Sequence, residues 1–278
     1  MKLKYFLIGG LGFMLTGGIL AVSSYKFGTL KSFTWDNGPK LIDMAQDFQT
    51  IPSTEKIKKI IIHAEHQQVQ ITRGLDFEVQ TSYEKAYKPQ VSVDGQTLSI
   101  EANAKERNVW ISLEDNTPSI TLTIPKDLSL SEIKIEGDDS YFGLTELASE
   151  KITTKTYGGT LLLDSVEGKS AKIEDMQGNV TINHSTIQKM AVTGRNSRFY
   201  LEDLTHKQSV FEVENSSIDL FSKNELGLDI QLSGSSTVTK DNENLALKTV
   251  LDGKDNLKIT GYDSNVNIYH EEENMEEY

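Results

Sequence analysis

The sequence predicts an all-β protein: a single-stranded β-solenoid (β-helix) with coils of about 19 residues, preceded by irregular β-hairpins and one N-terminal transmembrane helix. Three observations support the β-solenoid. Apolar residues recur with a fixed step in the second half of the chain, apolar and polar residues alternate inside each period, and no proline follows Pro125. Because proline cannot donate a ladder hydrogen bond, its absence is typical of strands that are paired on both edges.

The fixed step is the strongest of these signals. One apolar column contains Ile133, Ile152, Ala171, Met190, Ser209, Leu228 and Leu247, and two further apolar columns start at Phe142 and Leu144 and keep the same step. A fixed period of roughly 20 residues indicates stacked repeats that bury their apolar faces against each other.

Each period contains short strands separated by a turn. Ile133 and Ile135 alternate with polar residues, as do Phe142 and Leu144, which is the period of a strand. Between the two runs lies a column of small residues: Ser140, Gly159, Gly178, Ser197, Ser216 and Ser235. The Gly, Asn, Asp and Ser residues around this column favour turns, so two or three short strands are expected in each coil.

The domain boundaries follow from where this pattern starts and stops. Residues 53–270 are predicted to form one β-solenoid domain, with hairpins first and regular coils from residue 131. Asp94-Gly95 is a hairpin signal in the less regular part. The fixed step fails near the end of the chain, where Val238 and Leu257 lie one residue later than the step predicts. Residues 271–278 are rich in glutamate and are predicted to be an acidic disordered tail.

The amino-terminal segment is predicted to be a membrane anchor. No charged residue occurs from Tyr5 to Val22, which is long enough to span a bilayer, so residues 1–25 are assigned to a transmembrane helix. Residues 26–52 are assigned to a linker, in which Leu41 to Ile51 could form a short helix. A slight excess of flanking lysines favours a cytoplasmic amino terminus and an extracytoplasmic β domain. A cleaved signal peptide ending near Ala21 and the opposite orientation are the alternatives.

Charge and cysteine content narrow the function classes. The net charge is −13, which argues against nucleic acid and anionic lipid as partners. It favours cationic partners such as basic antimicrobial peptides or divalent ions, while solubility explains the same charge without any partner. The sequence has no cysteine, which excludes disulfides, thiolate metal sites and a lipid-modified cysteine.

No catalytic motif is present. His63, Glu65 and His66 are the only histidine cluster, but on a strand His66 points away from the other two, so no metal site is predicted. Asp164 and Asp203 occupy neighbouring columns two coils apart, which is at the limit for a glycosidase carboxylate pair. Turn formation explains both aspartates without chemistry. The sequence therefore predicts no enzyme activity, no catalytic residues and no cofactor.

Aromatic residues are the remaining candidates for binding. The possible ligand-stacking residues are Trp110, Tyr157, Phe199, Tyr200 and Phe221. Phe199 lies in a core column, whereas Tyr200 and Tyr141 point the other way. Tyr141 and Tyr200 are therefore the predicted candidates for an outer binding face.

Several runs together resemble a known family. The runs are Ile57 to Ile60 with Val69 to Ile71, Val91 to Ile100, Ile120 to Pro125, and the coils that follow. Over residues 50 to 268 the chain resembles the bacterial "putative adhesin" β-strand-repeat family of unknown function, and its amino-terminal segment resembles members of the Lia cell-envelope-stress system of Gram-positive bacteria.

The resemblance implies a membrane-anchored, extracytoplasmic β-solenoid that binds other molecules and modulates the envelope-stress response. The implied partners are an envelope-stress membrane signalling protein or a cationic peptide. The alternatives are a self-assembling structural scaffold or surface adhesin and, with less support, a carbohydrate-active enzyme. The sequence leaves the oligomeric state open.

Overall fold

A computed structural model describes most of the chain. The described residues are Gly10, Gly12, 14–15, 17–18, 32–35, 39–51, 57–105, 109–111, 117–223, 227–253 and 256–270. The predicted acidic tail, residues 271–278, lies outside them.

The described chain is built almost entirely of strands, with one short 3-10 helix at Lys85–Tyr87. The strands in chain order are β1 (Phe33–Trp35), β2 (Pro39–Leu41), β3 (Met44–Thr50), β4 (Lys59–Glu65), β5 (Gln68–Gly74), β6 (Glu78–Glu84), β7 (Gln90–Asp94), β8 (Thr97–Asn103), β9 (Val109–Ile111), β10 (Ser119–Pro125), β11 (Leu130–Asp138), β12 (Tyr141–Thr145), β13 (Ala148–Tyr157), β14 (Thr160–Asp164), β15 (Glu167–Met176), β16 (Asn179–Asn183), β17 (Thr186–Arg195), β18 (Arg198–Glu202), β19 (Gln208–Glu214), β20 (Ser217–Ser222), β21 (Gly227–Ser233), β22 (Thr237–Lys240), β23 (Glu243–Asn244), β24 (Lys248–Leu251), β25 (Asn256–Tyr262) and β26 (Asn265–His270).

The chain divides into two compact units. The first comprises Met1–Met44 with Glu106–Asn116, and the second comprises Ala45–Lys105 with Thr117–Tyr278. In the first unit, β1 pairs antiparallel with β2 and with β9 to form a three-stranded sheet. Strand β3 covers most of the segment in which the sequence allowed a short helix.

The second unit consists of two large mixed sheets, one of 12 strands and one of 11 strands. In its centre, each sequence period contributes one strand to each sheet. We call such a pair of strands a rung. The central rungs are β11/β12, β13/β14, β15/β16, β17/β18 and β19/β20. Neighbouring rungs pair parallel, and equivalent positions of successive periods are Cα partners, such as Ile133 with Ile152 and Phe142 with Leu161.

At each end of this central block the order along the chain differs from the order in space. Next to β11/β12 lies β4/β5, followed by β8/β10. At the other end β25/β26 lies between β19/β20 and β21/β22, although it follows both in the chain. Antiparallel strands follow at both ends: β7 and β6 at one, with β3 next to β6, and β24 and β23 at the other.

Tight corners connect the two sheets within a rung. Most corners use a single residue with positive φ, such as Asn196 (54°) on leaving the 11-stranded sheet and His184 (46°) on returning to it. Asn and Asp tolerate this conformation better than most residues, which is why turn residues recur with the same period.

The small-residue column lies directly after the first corner and has a hydrogen-bonding function. The Oγ atom of Ser216 accepts a hydrogen bond from the backbone N–H of Ser197 on the neighbouring rung at 3.0 Å, and it donates to the carbonyl of Glu214 at 2.7 Å. Ser264 repeats this arrangement with Ser216 and Tyr262. A small hydroxyl therefore satisfies a buried backbone donor that the corner removes from the regular ladder.

The core fills the space between the two sheets. It is formed by the inward-facing apolar columns, whose largest fully buried side chains include Phe142, Phe199 and Phe211. The rings of Phe199 and Phe211 make an edge-to-face contact with centroids 6.0 Å apart.

The prediction of an N-terminal transmembrane helix is wrong. Within the described part of the chain, no helix is both long and apolar enough to span a bilayer. A span needs about 20 consecutive helical residues, whereas the positions described as helical in this segment are Gly10, Gly12, Met14, Leu15, Gly17 and Gly18. The rest of residues 1–25 lies outside the described residues. The predicted localisation, a single-pass membrane protein with an extracytoplasmic domain, depended on that helix and is corrected with it.

The prediction of a single-stranded solenoid preceded by hairpins also needs correction. The fold consists of two mixed sheets, and the first half of the chain contributes complete rungs rather than hairpins alone. The ladder ends differently too. Ser209 pairs with Leu257, Leu228 lies on the far side of Leu257, and Leu247 falls outside the strands. The reason is the segment between β22 and β25, which shifts the strands that follow it by about half of one repeat. Ser264 and Ser236 consequently take the place predicted for Ser235 in the small column.

Candidate functional site

A groove crosses the outer face of the 11-stranded sheet. It has a volume of about 630 Å³ and lies over the carboxyl-terminal ends of β4, β11, β13, β15, β17 and β19. We call it the acidic groove. It is built from residues of six neighbouring strands, so it exists only because the rungs are stacked in register.

Two outward-facing columns form its walls. Since equivalent positions of successive periods are Cα partners, their side chains stand about 4.8 Å apart along the stack. One column contains His63, Glu136, Lys155, Glu174, Thr193 and Glu212. The other contains Glu65, Asp138, Tyr157, Met176, Arg195 and Glu214.

Carboxylates dominate these walls, and some of them have cationic neighbours. Glu136 contacts Lys134 Nζ at 2.8 Å and His63 Nδ1 at 3.5 Å. The hydrogen bond from Lys134 is the main reason why the pKa of Glu136 lies below its usual value. Arg195 Nε donates to Glu214 Oε2 at 2.9 Å.

Other carboxylates of the groove remain available to a ligand. Within the described part of the chain, Glu65, Asp138 and Glu212 have no ion-pair partner. Since all three border the groove, they leave uncompensated negative charge along its walls.

The middle of the groove is apolar. Tyr157 and Met176 are Cα partners on neighbouring strands, and they are 44% and 40% exposed. They are among the few large hydrophobic side chains of the second unit that are exposed to this degree. A surface that combines exposed apolar side chains with polar walls is typical of an interaction site.

The floor of the groove is rigid because it is packed against the core. A Cβ atom on Gly137 would lie 2.5 Å from the ring of Phe142, and one on Gly194 would lie 2.4 Å from the ring of Phe199. Buried Asp175 lies between these glycines and accepts hydrogen bonds from Thr156 Oγ1 at 2.6 Å and from the Gly178 N–H at 3.1 Å. Its carboxylate is therefore already occupied within the fold.

The structure places Tyr141 and Tyr200 on the outer face of the other sheet but does not bring them together. They stand on β12 and β18, three strands and about 14 Å apart, in different columns. The ring of Tyr141 lies over Gly143. Tyr200 stacks on Phe221 with centroids 4.7 Å apart, and Phe221 stacks on Tyr269 at 4.6 Å. The rings of this aromatic ladder cover each other's faces, so their role as a binding face remains a prediction without a shared site.

The other sequence candidates are separated or engaged in ion pairs. Asp164 lies 3.5 Å from His184 Nδ1, and Asp203 accepts a hydrogen bond from Lys223 at 3.0 Å. Among the described residues, no three His, Cys, Asp or Glu side chains are placed to hold a metal ion. His63 and Glu65 do share the groove, whereas His66 occupies a corner with φ of 52°.

The groove could have been anticipated from one signal that the sequence contains. Applying the repeat step from Glu136 and Asp138 yields both wall columns. The spacing of Gly137 and Phe142 also recurs within the repeats, as Gly194 and Phe199. This pairing marks where a ring lies directly beneath the groove floor.

Solved structures of known proteins are only distantly similar to this chain, and no curated protein is detectably similar to it. A "putative cell adhesion protein" from Clostridium sporogenes is 11% identical with a TM-score of 0.37, covering 82% of this chain and 100% of that chain. A "putative adhesin" from Bacteroides fragilis is 16% identical with a TM-score of 0.45, covering 82% and 97%. A "putative lipid binding protein" from Parabacteroides distasonis is 9% identical with a TM-score of 0.42, covering 81% and 96%.

The match to a protein family is more informative. The family described as Toastrack DUF4097 matches residues 57–278. This range includes nearly all of the second unit, with every strand of the acidic groove. The chain belongs to the Toastrack DUF4097 family.

Proposed function

We propose that this chain is a non-catalytic binding protein whose acidic groove holds a cationic, partly apolar peptide. The observation that carries the proposal is the order of side chains along the groove. Exposed Tyr157 and Met176 lie between carboxylates without ion-pair partners among the described residues, with Asp138 on one side and Glu212 on the other.

The spacing of these groups defines the peptide. Asp138 on β11 and Glu212 on β19 are four strands apart, or about 19 Å along the stack. An extended peptide rises about 3.3 Å per residue, so basic residues about six positions apart would reach both carboxylates. The residues between them would then lie over Tyr157 and Met176 and should be apolar.

The resemblance to envelope-stress proteins gives this proposal a physiological setting. If the peptide is an envelope-active cationic peptide, the chain would modulate the response to it. The support for this finer statement is the resemblance of the amino-terminal segment to members of the envelope-stress system, together with the charge of the groove.

A self-assembling filament is the weaker candidate. End-to-end stacking would require an open parallel rung at each end of the sheets. Both ends carry antiparallel strands instead, β7 and β6 at one end and β24 and β23 at the other. An arrangement of this kind ends the ladder rather than extending it.

Isothermal titration calorimetry of the full chain tests the proposal. The probe is a synthetic peptide of about ten residues with two lysines at each end and an apolar middle. Asp138→Asn combined with Glu212→Gln should weaken binding roughly tenfold, because each removes an exposed ion pair worth up to about 1 kcal/mol. Higher salt should weaken binding to the wild type as well.

The matched control removes the same charge elsewhere. Glu167→Gln with Glu243→Gln alters two exposed carboxylates that do not line the groove. This control should bind like the wild type. Equal loss in both double variants, or binding that salt does not weaken, would contradict a specific acidic groove.

A further inference from the structure

The outer face of the 11-stranded sheet carries opposite charges on its two halves. The two outward columns near the amino-terminal ends of β4 to β19 contain five lysines and one glutamate: Lys59, Glu132, Lys134, Lys151, Lys172 and Lys189. The two columns of the acidic groove contain six carboxylates against Lys155 and Arg195. Over the same six strands, the net charges of the two halves are therefore +4 and −4.

A small apolar depression lies in the basic half. It has a volume of about 350 Å³, and its floor includes Ile152, Ala171 and Met190. Lys151, Lys172 and Lys189 border it. Each half of the face thus combines apolar area with one sign of charge, and the two signs are complementary.

We propose that this face docks onto the same face of a second copy of the chain. The dimer has a two-fold axis parallel to the stack of rungs. This axis lies midway between the facing sheets of the two copies and above the Ile135 column. It places the basic half of each copy against the acidic half of the other. A two-fold axis parallel to the strands would instead place like charges together. Charge complementarity therefore selects one of these two closed arrangements.

The symmetry also fixes which side chains meet. Since rotation about this axis keeps every rung at the same height, Lys134 faces Glu136 of the second copy and Lys172 faces Glu174 of the second copy. In the single chain these lysines contact the same-strand glutamates at 2.8 and 2.5 Å. Facing sheets are about 10 Å apart, a gap that lysine and glutamate side chains bridge together.

Two further contacts support this register. Lys59 faces Glu65 of the second copy, which has no ion-pair partner within the described chain. Lys151 faces the exposed ring of Tyr157 of the second copy, a favourable cation–π arrangement. Two contacts of this register join like charges. Glu132 faces Asp138 of the second copy, but Glu132 is paired with Lys59 and Lys151. Lys189 faces Arg195 of the second copy, but that guanidinium is paired with Glu214.

The dimer goes beyond the proposed peptide binding and would regulate it. The second copy covers the acidic groove, so a cationic peptide and the second copy would compete for the same carboxylates. The net charge of −13 opposes association at long range. At physiological ionic strength the screening length is about 8 Å, which leaves the contacts across the interface as the main electrostatic effect.

Sedimentation velocity of the full chain over a range of concentrations tests this proposal. The wild type should form dimers at about 0.15 M salt and dissociate at about 1 M salt, where the screening length is about 3 Å. Lys134→Glu with Lys172→Glu, or Glu136→Lys with Glu174→Lys, should each weaken dimerisation at least about tenfold, since each replaces attraction by repulsion at four contacts. An equal mixture of the two double variants should recover dimers, because their charges are again complementary.

A control carries the same charge change outside these columns. Lys169→Glu with Lys207→Glu should dimerise like the wild type, and circular dichroism should show that all variants are folded. A wild type that stays monomeric, reversed variants that dimerise normally, or a mixture that stays monomeric would each overturn the proposal. Calorimetry with the lysine-rich peptide on the Lys134→Glu, Lys172→Glu variant separates the two proposals, because this variant keeps every carboxylate of the groove and should bind the peptide at least as tightly as the wild type, without competition.

Discussion

In the second unit, the strands at the centre and the strands at the two ends pair in different ways. From β11 to β20 every strand pairs with the strand of the next period at a constant step, as Ile133 does with Ile152. At the ends this step is broken. Ile133 pairs with Ile60 on one side, Ser209 pairs with Leu257 on the other, and the strands beyond include antiparallel ones. The centre therefore depends on repetition, whereas the ends depend on interrupting it.

The two ends use the same arrangement although they come from unrelated parts of the chain. In each, the outermost parallel rung is not the one that begins or ends the series in sequence, and a short antiparallel strand follows it. An exposed parallel edge would be a template for other strands. Both ends thus show how a repetitive stack is terminated.

The first prediction measures how much looser an end is than the centre. Val180 and Val238 occupy the same inward column and are both fully buried, but Val180 is on central β16 and Val238 is on outer β22. Val180→Ala should lower the free energy of unfolding by about 2–3 kcal/mol through lost burial and a residual cavity. Val238→Ala should cost about 1 kcal/mol, because an end rung opens locally and relaxes around the change.

Chemical denaturation of both variants provides the measurement, and hydrogen exchange provides the control. Amides of β22 and β26 should exchange faster than those of β16 in the wild type. Equal losses of stability at the two positions would show that the ends are as tightly coupled as the centre.

The second prediction tests the packing beneath the acidic groove. Gly194→Ala should destabilise the chain by about 1–3 kcal/mol, since the new methyl group would overlap the ring of Phe199. Gly168→Ala is the matched control on the neighbouring strand, where the nearest atom to a Cβ is 3.5 Å away. Thermal unfolding should show little change for the control. A tolerated Gly194→Ala would mean that the groove floor is not packed against the core as described.

The third prediction compares two threonines of β13 that differ in hydrogen bonding. Thr154 is fully buried between Ile135 and Ile173, and its hydroxyl has no hydrogen-bond partner among the described residues. Thr154→Val should therefore stabilise the chain by about 1 kcal/mol. Thr156→Val should destabilise it by about 1–3 kcal/mol, because Asp175 would lose a donor while remaining buried. Opposite signs in urea denaturation are the expected result.

The sequence was sufficient for the repeating part of the fold because a period is a local property. The repeat step identifies the inward columns and the small column, and the structure explains the latter by the hydroxyl of Ser216 and its equivalents. The repeat step could not reveal that Leu257 lies between Ser209 and Leu228. That order depends on the segment between β22 and β25, and the strands on either side of this segment come together only in the folded chain. The family-level resemblance holds, while the membrane anchor inferred from an uncharged run does not.

The acidic groove was not predicted as a whole for a different reason, although Tyr157, one of the possible ligand-stacking residues, lies in it. Tyr141 and Tyr200 were chosen because they point outward, but pointing outward does not show which of the two sheets carries a groove. That depends on the shape of the outer surface, and the structure places the groove on the 11-stranded sheet. Charge patterning along Glu136 and its period indicates the groove, because two adjacent acidic columns combine into one surface on the 11-stranded sheet.

The last prediction concerns an ion-pair ladder that joins the central block to its first flanking rung. Glu132 lies between Lys59 Nζ at 2.7 Å and Lys151 Nζ at 2.9 Å. Hydrogen bonds from Lys59 first, and then from Lys151, hold the pKa of Glu132 below its ordinary value of 4.5. Since the folded-state pKa is lowered, the stabilisation is complete above the ordinary value and is lost as the pH falls through the folded-state pKa.

Glu132→Gln should therefore cost up to about 1 kcal/mol near pH 7 and much less once the pH lies below the folded-state pKa. Urea denaturation of both proteins at neutral and at strongly acidic pH measures the difference. Glu167→Gln, with no such pair among the described residues, should show no comparable pH-dependent loss. A cost for Glu132→Gln that is the same at both pH values would show that the side chain acts through packing, and the junction between the centre and this end would then not depend on charge.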